Sequence, residues 1–279
     1  MRADIRPRPP ASTGRGAAEP FGRAAAYRAA RSFFRDKRRP PRQAGAMFRL
    51  THDGAVARLT LDRPEARNAI PASGWTTLAA CLGEVEGRLL VLSGTGGAFC
   101  AGADLADFAA MREDQGARRR FREAMRAALD ALSALPIPTV ARIDGACYGA
   151  GVALAMACDL RVATAGARFA ITPAKIGISY PQEDVSRLVA LVGPGQAARL
   201  LFTAATIDGA EALRIGLADL DELDEAAILA NDAEGLAALK QAIARAGEGV
   251  RSDPALDARF DALIGGAEMA RRLEALRRK

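Results

Sequence analysis

Residues 48–53 and 55–61 alternate apolar and polar positions on either side of Asp53-Gly54, the pattern of two strands joined by a tight turn. The period then changes. Residues 71–85 repeat at helical spacing, and 88–93 form a short apolar run that reads as a buried strand. A longer helix is predicted over 117–135, with one strongly charged face, ended by Pro136 and Pro138. A strand at 139–143, a small-residue turn and an apolar helix reaching Cys158 follow. Short strands at 160–164 and 168–171 precede helical stretches at 181–192 and 195–204. Strands alternating with helices predict an α/β fold that binds ligands at its strand-to-helix turns. After about residue 216 the strand signal stops. Residues 222–230, 234–246, 255–264 and 268–278 are helical by period, a C-terminal region whose short helices need a core or a neighbour to pack on.

Two glycine-rich segments stand out within this pattern. Gly97-Ala98-Phe99-Cys100-Ala101-Gly102-Ala103-Asp104-Leu105 and Asp144-Gly145-Ala146-Cys147-Tyr148-Gly149-Ala150-Gly151 each follow a strand-like run and lead into a helical one. Small residues at such turns let the backbone approach a ligand closely. The first turn of a helix also leaves amides without partners. Two such turns facing one another would supply two fixed donors to a polarised carbonyl oxygen.

Composition narrows the chemistry. The single histidine, His52, lies in the first alternating segment and reads as a solvated strand residue, which removes His-based triads and histidine metal sites. Cys81, Cys100, Cys147 and Cys158 lack metal-ligand spacing, and the last two fall in an apolar stretch suited to buried thiols. No segment resembles a cleavable signal peptide, and the longest uncharged run is too short for a bilayer, so the expectation is a cytoplasmic protein without a membrane partner. The net charge of +6 is unevenly spread. Residues 1–46 hold twelve basic and three acidic side chains, whereas the remainder holds 27 and 30. The basic Pro/Arg-rich extension is expected to be disordered, a transit-like arm or the product of a mis-assigned start before Met47. The mildly acidic remainder has no interleaved aromatics and argues against nucleic-acid binding. The expected divisions are 1–46, a core over 47–215 and a helical oligomerisation region over 216–279.

The segments Arg63-Pro64-Glu65-Ala66-Arg67-Asn68-Ala69-Ile70, 98–105 and 144–159 resemble, in order and spacing, the enoyl-CoA hydratase/isomerase (crotonase) family. The resemblance implies a spiral of ββα units, assembled as a homotrimer or a dimer of trimers. It also implies an acyl-CoA thioester as substrate, with no separate cofactor, and fatty acid metabolism as the setting. By position, the backbone amides of Ala103 and Ala150 form the oxyanion hole. Ala66, Arg67, Asn68 and Ala69 match the stretch whose backbone meets the CoA adenine. Ala101, Gly102, Leu105 and Gly149 flank the same ligand. Arg63 and Arg67 are candidates for phosphate contacts or plain surface arginines.

The departure lies at the acids. Hydratases of the family carry two glutamates for proton work, and the matching positions here are Ala153 and Pro173. The segment 171–181, with Thr172-Pro173 and Gly177 followed by Tyr180, is similar to family members that decarboxylate methylmalonyl-CoA or ethylmalonyl-CoA; in the methylmalonyl enzymes a tyrosine at the position of Tyr180 lies near the substrate carboxylate. Tyr180 is therefore a candidate site residue, and Asp184 or Glu183 a candidate base, with Asp184 preferred. Both acids also suit the first turn of a helix. Asp104 reads as a helix N-cap, and Asp159 and Arg161 as a structural pair. The expected function is enolate stabilisation serving isomerase- or decarboxylase-type chemistry. The alternatives are hydration with a replacement acid and a non-catalytic acyl-CoA binder.

Overall fold

A computed structural model describes residues 47–278; the extension over 1–46, and every expectation placed on it, lies outside the described residues. The first hairpin forms as its alternation requires, with β1 (Phe48–Asp53) antiparallel to β2 (Val56–Leu61). From there the chain spirals. β3 (Leu89–Gly94), β5 (Thr139–Ile143) and β7 (Leu160–Ala163) add in parallel to β2 and complete a five-stranded sheet in the order β1-β2-β3-β5-β7.

Each of these three strands is followed by a shorter one in a second sheet. β4 (Ala98–Cys100), β6 (Ala146–Tyr148) and β8 (Arg168–Ala170) run parallel, and β9 (Ile207–Asp208) closes the edge antiparallel to β8. After β4 and β6, helices return the chain to the first sheet; after β8 the chain passes through a helix to β9 of the second. The repeat is thus strand, short strand, helix. It carries both glycine-rich segments to the same end of adjacent parallel strands, one repeat apart. The sequence reading treats those segments as turns only; three-residue strands are too short to show an alternation.

The helices cover the sheets as their apolar spacing dictates. α1 (Ala72–Gly83) buries Trp75, Leu78 and Leu82. α2 (Leu105–Met111) is short, and α3 (Gln115–Ser133) presents Met125, Ala128, Leu129 and Leu132 on one face, packed against α1. Each of the larger side chains on that face contributes roughly 1.5–3 kcal/mol by leaving water. α4 (Ala150–Met156) is buried almost throughout. α5 (Gln182–Thr203) is interrupted at Gly193, where φ is +73° and ψ 164°, ahead of Pro194, so the two helical stretches expected at 181–192 and 195–204 are two helices meeting at a kink.

Beyond α6 (Gly209–Ile215) come α7 (Glu225–Leu229), α8 (Ala233–Gly247), α9 (Pro254–Ile264) and α10 (Ala267–Arg277). Arg58 holds α7 through a two-pronged contact with Glu225 at 2.8 and 2.9 Å, and Lys240 of α8 reaches Asp159 at 2.7 Å. One strand-like contact persists in the tail, an isolated bridge from Leu220 to Val162. Asp159 and Arg161 are not partners as expected. Asp159 also accepts from the Thr139 amide and hydroxyl, and Arg161 pairs with Asp219 at 2.6 Å. They flank Leu160 on a strand edge, and each is drawn to a different element.

Candidate active site

Register brings the two glycine-rich segments together. In the parallel pair β4–β6, Ala98 faces Ala146 and Cys100 faces Cys147. The chain leaves both strands at the same end, in the turns that carry Ala103 and Ala150. The approach is too close for side chains. A Cβ on Gly102, where φ is +105°, would lie 2.8 Å from the Tyr148 carbonyl oxygen and 3.4 Å from the Ala150 nitrogen. A Cβ on Gly151 would lie 2.3 Å from the Cys100 oxygen. Glycine at these two positions is what allows backbone to pack on backbone.

The Ala103 turn is held from one side by the segment before α1. Ile70 bridges Ala103 in parallel: its amide donates to the Gly102 oxygen at 2.7 Å, and its own oxygen accepts from the Asp104 amide at 2.9 Å. Asp104 caps α2 by accepting from the Ala106 amide, as expected, and also receives Arg63 Nη1 at 2.7 Å. That nitrogen donates to the Ala69 oxygen at 3.1 Å as well. The hydrogen bond from Arg63, followed by that from the Ala106 amide, holds the Asp104 carboxyl below the usual carboxylate range. Arg63, a candidate for phosphate, is thus occupied by Asp104 and Ala69; Arg67 is exposed.

The stretch 66–69 is a tight left-handed turn, with φ of +50° at Arg67 and +59° at Asn68. Asn68 is fully buried. Its Oδ1 accepts from the Arg63 amide at 2.8 Å, and its Nδ2 donates to the Thr95 and Ala98 oxygens at 2.9 and 2.7 Å. The four amides of Ala66, Arg67, Asn68 and Ala69 all donate within the turn. The Arg67 oxygen accepts from Ala101, which joins this stretch to the Ala103 turn. What the turn can still offer a ligand is carbonyl lone pairs.

Neither the Ala103 nor the Ala150 amide donates to another group among the described residues. Ala150 is the first residue of α4, where an amide has no intrahelical acceptor. Gly149 precedes it, donating to the Ala170 oxygen. Leu105, 62% exposed, and the exposed Ile176 and Ile178 supply apolar surface on the segments that follow β4 and β8. Ala153 is buried in the first turn of α4, and Pro173 opens a 3-10 turn after β8 (Pro173–Ile176).

The acids predicted beyond that turn separate. Glu183 is exposed on the first turn of α5. Asp184 is fully buried, with Arg126 Nη1 at 3.3 Å and Arg187 Nη1 at 3.6 Å from its Oδ1. Burial raises its carboxyl above the usual range, against the opposing pull of Arg126 and Arg187. Asp184 therefore joins α3 to α5 through an ion-pair cluster that also includes Asp130. Tyr180 is half-buried, and its hydroxyl donates to the Gly149 oxygen at 3.0 Å. Burial first, then the nearby Asp184 carboxylate, pushes the phenol well above its ordinary value, so it stays protonated at neutral pH. The parts played by Arg63 at Asp104, by Ile70 and by Arg126 have no signal in the sequence, because they arise from contacts between distant segments; only Arg187, three residues from Asp184 on the same helix, stands at a spacing the sequence shows.

Residues 51–246 match the model of the enoyl-CoA hydratase/isomerase family. The chain belongs to that family. A short-chain-enoyl-CoA hydratase of Clostridium acetobutylicum is 35% identical over 193 residues, covering 67% of this chain and 72% of that one. The structure of an enoyl-CoA hydratase/carnithine racemase from Magnetospirillum magneticum aligns with a TM-score of 0.78 at 27% identity, over 84% of this chain and 94% of that one. AtuE of Pseudomonas aeruginosa aligns at 0.70 with 34% identity, over 80% and 93%. The spiral of ββα units is the family's crotonase fold, and acyl-CoA thioesters are the family's substrates. Among the described residues, no helix is long and apolar enough to cross a membrane, and no three metal-ligating side chains cluster.

Proposed function

We propose that this family member binds an acyl-CoA thioester with its carbonyl oxygen between the Ala103 and Ala150 amides, and that it decarboxylates a malonyl-type acyl group. The observation that carries the reading is the pair of partnerless amides beside a site whose nearby carboxylates, exposed Glu183 apart, are otherwise engaged. Asp104 is bound by Arg63 and the Ala106 amide, and Asp107 accepts from the Ala72 amide at 2.6 Å. Asp144 accepts from Thr164, and Asp184 is buried among arginines. Ala153 and Pro173 supply no acid.

Such a site suits a reaction that forms an enolate without a base. The bond between the α-carbon and the substrate carboxylate breaks, carbon dioxide leaves, and the electron pair passes through the α-carbon onto the thioester oxygen. The two amides stabilise the resulting charge because they are fixed before it develops. Water then protonates the α-carbon, and the hydroxide it leaves combines with the released carbon dioxide as bicarbonate. The carbonyls of residues 66–69 fit the amino group of adenine, and Leu105 with Ile176 and Ile178 fits the apolar part of the ligand. The exposed apolar rows Leu239/Ile243, Phe260/Ile264 and Met269/Leu273/Leu276 on α8, α9 and α10 support assembly of copies into a homotrimer or a dimer of trimers.

Mass-resolved turnover of crotonyl-, 3-hexenoyl-, methylmalonyl- and ethylmalonyl-CoA tests this reading. Loss of carbon dioxide from either malonyl-type thioester is the expected result. Double-bond migration in 3-hexenoyl-CoA would instead require one base, and exposed Glu183 is the candidate. Efficient water addition to crotonyl-CoA with no decarboxylation would overturn the proposal in favour of a hydratase with a replacement acid.

A further inference from the structure

The two candidate oxyanion donors belong to peptide units whose carbonyls are both held. A peptide is planar and trans, so its C=O and N–H point in opposite directions. Fixing the oxygen therefore fixes the direction of the hydrogen. In the Gly102–Ala103 unit the Gly102 oxygen is held by the Ile70 amide at 2.7 Å. In the Gly149–Ala150 unit the Gly149 oxygen accepts from the Val152 and Ala153 amides at 2.9 and 3.3 Å, the ordinary contacts of a helix start. It also accepts from Tyr180 Oη at 3.0 Å, a contact made from outside the helix, 31 residues along the chain.

We infer that Tyr180 is a positioning residue: through the Gly149 carbonyl it orients and polarises the Ala150 amide, and it exchanges no proton with substrate. The inference rests on the proposed oxyanion role of that amide. The direction of the bond is the main argument. The phenol proton points at a backbone oxygen, so the hydroxyl has spent its one donor on the protein. A donor on the carbonyl side draws electron density across the amide and makes the N–H on the other side a stronger donor. A phenol is protonated at neutral pH, and burial first, then the neighbouring Asp184 carboxylate, raise its pKa further, so the hydroxyl remains a donor. The Ala103 unit reaches the same arrangement with a backbone amide from Ile70, whereas the Ala150 unit adds a side chain to its two helix amides. Tyr180 is consequently the one component of this support that a simple substitution removes.

The size of the effect separates this role from proton transfer. A hydrogen bond in a chain strengthens the next by roughly 10–30%. One oxyanion donor is worth roughly 10²–10³ in kcat, so that fraction of its effect is about 2- to 8-fold. A general acid or base contributes roughly 10²–10⁴-fold.

The test uses the full chain with 4-dimethylaminocinnamoyl-CoA, a thioester whose absorbance moves to longer wavelength when its carbonyl is polarised. Wild type, Tyr180→Phe and Leu129→Ala, a core control for lost stability alone, are titrated with the probe and their bound spectra compared. The inference predicts a red shift in wild type, the same shift in Leu129→Ala, and a smaller one in Tyr180→Phe with its dissociation constant within about 3-fold of wild type. Methylmalonyl-CoA turnover in Tyr180→Phe should fall about 2- to 8-fold, with KM and the pH profile unchanged. An unaltered red shift in Tyr180→Phe would overturn the positioning role, and so would a loss of turnover beyond about 100-fold. Absence of any shift in wild type would instead overturn the oxyanion reading, and the inference with it.

Discussion

Replacing Asn68 should damage the site's scaffold more than any surface change near it. The side chain is fully buried and makes three hydrogen bonds, one accepted from the Arg63 amide and two donated to the Thr95 and Ala98 oxygens. At about 1 kcal/mol each, Asn68→Ala forfeits about 3 kcal/mol and leaves three backbone groups without partners. Backbone geometry adds to this. Asn68 sits at φ +59°, a conformation that asparagine tolerates and that costs alanine roughly 1 kcal/mol more. The total, about 4 kcal/mol, corresponds to a fall in Tm of about 8–16 °C for a domain of this size. Asn68→Asp is the sharper perturbation. It keeps the acceptor for Arg63 but turns an anionic oxygen toward two carbonyl oxygens that now face an NH2 group. Despite its near-identical shape it should be at least as destabilised as Asn68→Ala, whereas Asn68→Gly should recover about 1 kcal/mol of the alanine loss. Thermal melts followed by circular dichroism, backed by urea titrations, measure all three variants. An aspartate variant melting within about 2 °C of wild type would refute the reasoning, because the two donated bonds would then carry no weight.

Three further outcomes follow from the geometry. Gly102→Ala places a methyl 2.8 Å from the Tyr148 oxygen at a φ of +105°; if the variant folds, binding of acyl-CoA thioesters measured by calorimetry should weaken at least 10-fold. Asp104 is held below its usual pKa of 3.8 by Arg63, so its contribution is present above about pH 4 and lost as acid protonates it. Wild type should therefore out-melt Asp104→Asn at pH 7, with the gap closing as the pH falls below 4. Replacing Leu239 and Ile243 by lysine should lower the solution mass of the assembly in analytical ultracentrifugation while leaving the circular dichroism spectrum unchanged, since both side chains are exposed on the single chain.

The elements legible in the sequence are those with long local signals. The hairpin at Asp53-Gly54, the buried run of β3 and the apolar stripe of α3 each span enough residues for one period to dominate. The glycine-rich turns are legible because runs of small residues between a strand and a helix point to close backbone approach. The second sheet is not, since β4, β6 and β8 are three residues each and borrow their stability from neighbours one repeat away. The same limit governs the side chains. That Arg63 serves Asp104 rather than a phosphate, that Asp184 lies between Arg126 and Arg187, and that Tyr180 reaches Gly149 all depend on chain folding, and the contacts to Arg63, Arg126 and Gly149 cross 31 to 58 residues. No local pattern encodes those three contacts, whereas the i,i+3 spacing of Asp184 and Arg187 is local. Tyr180 and Asp184 stand out in the sequence as residue types, but the direction in which each group points is set only by the packing of α3 and α4 against α5.

The central claim is that two backbone amides stabilise the thioester enolate, and deleting one of them tests it most directly. Incorporating lactic acid at position 103 replaces that amide by an ester oxygen and removes the N–H while keeping the methyl side chain. The measurement is the carbonyl stretch of crotonyl-CoA, carbon-13-labelled at the thioester carbon and bound to each protein, in difference infrared spectra. The account predicts a clear move to lower frequency on binding the wild type and loss of most of it in the ester variant. An identical frequency in the two proteins would contradict the account.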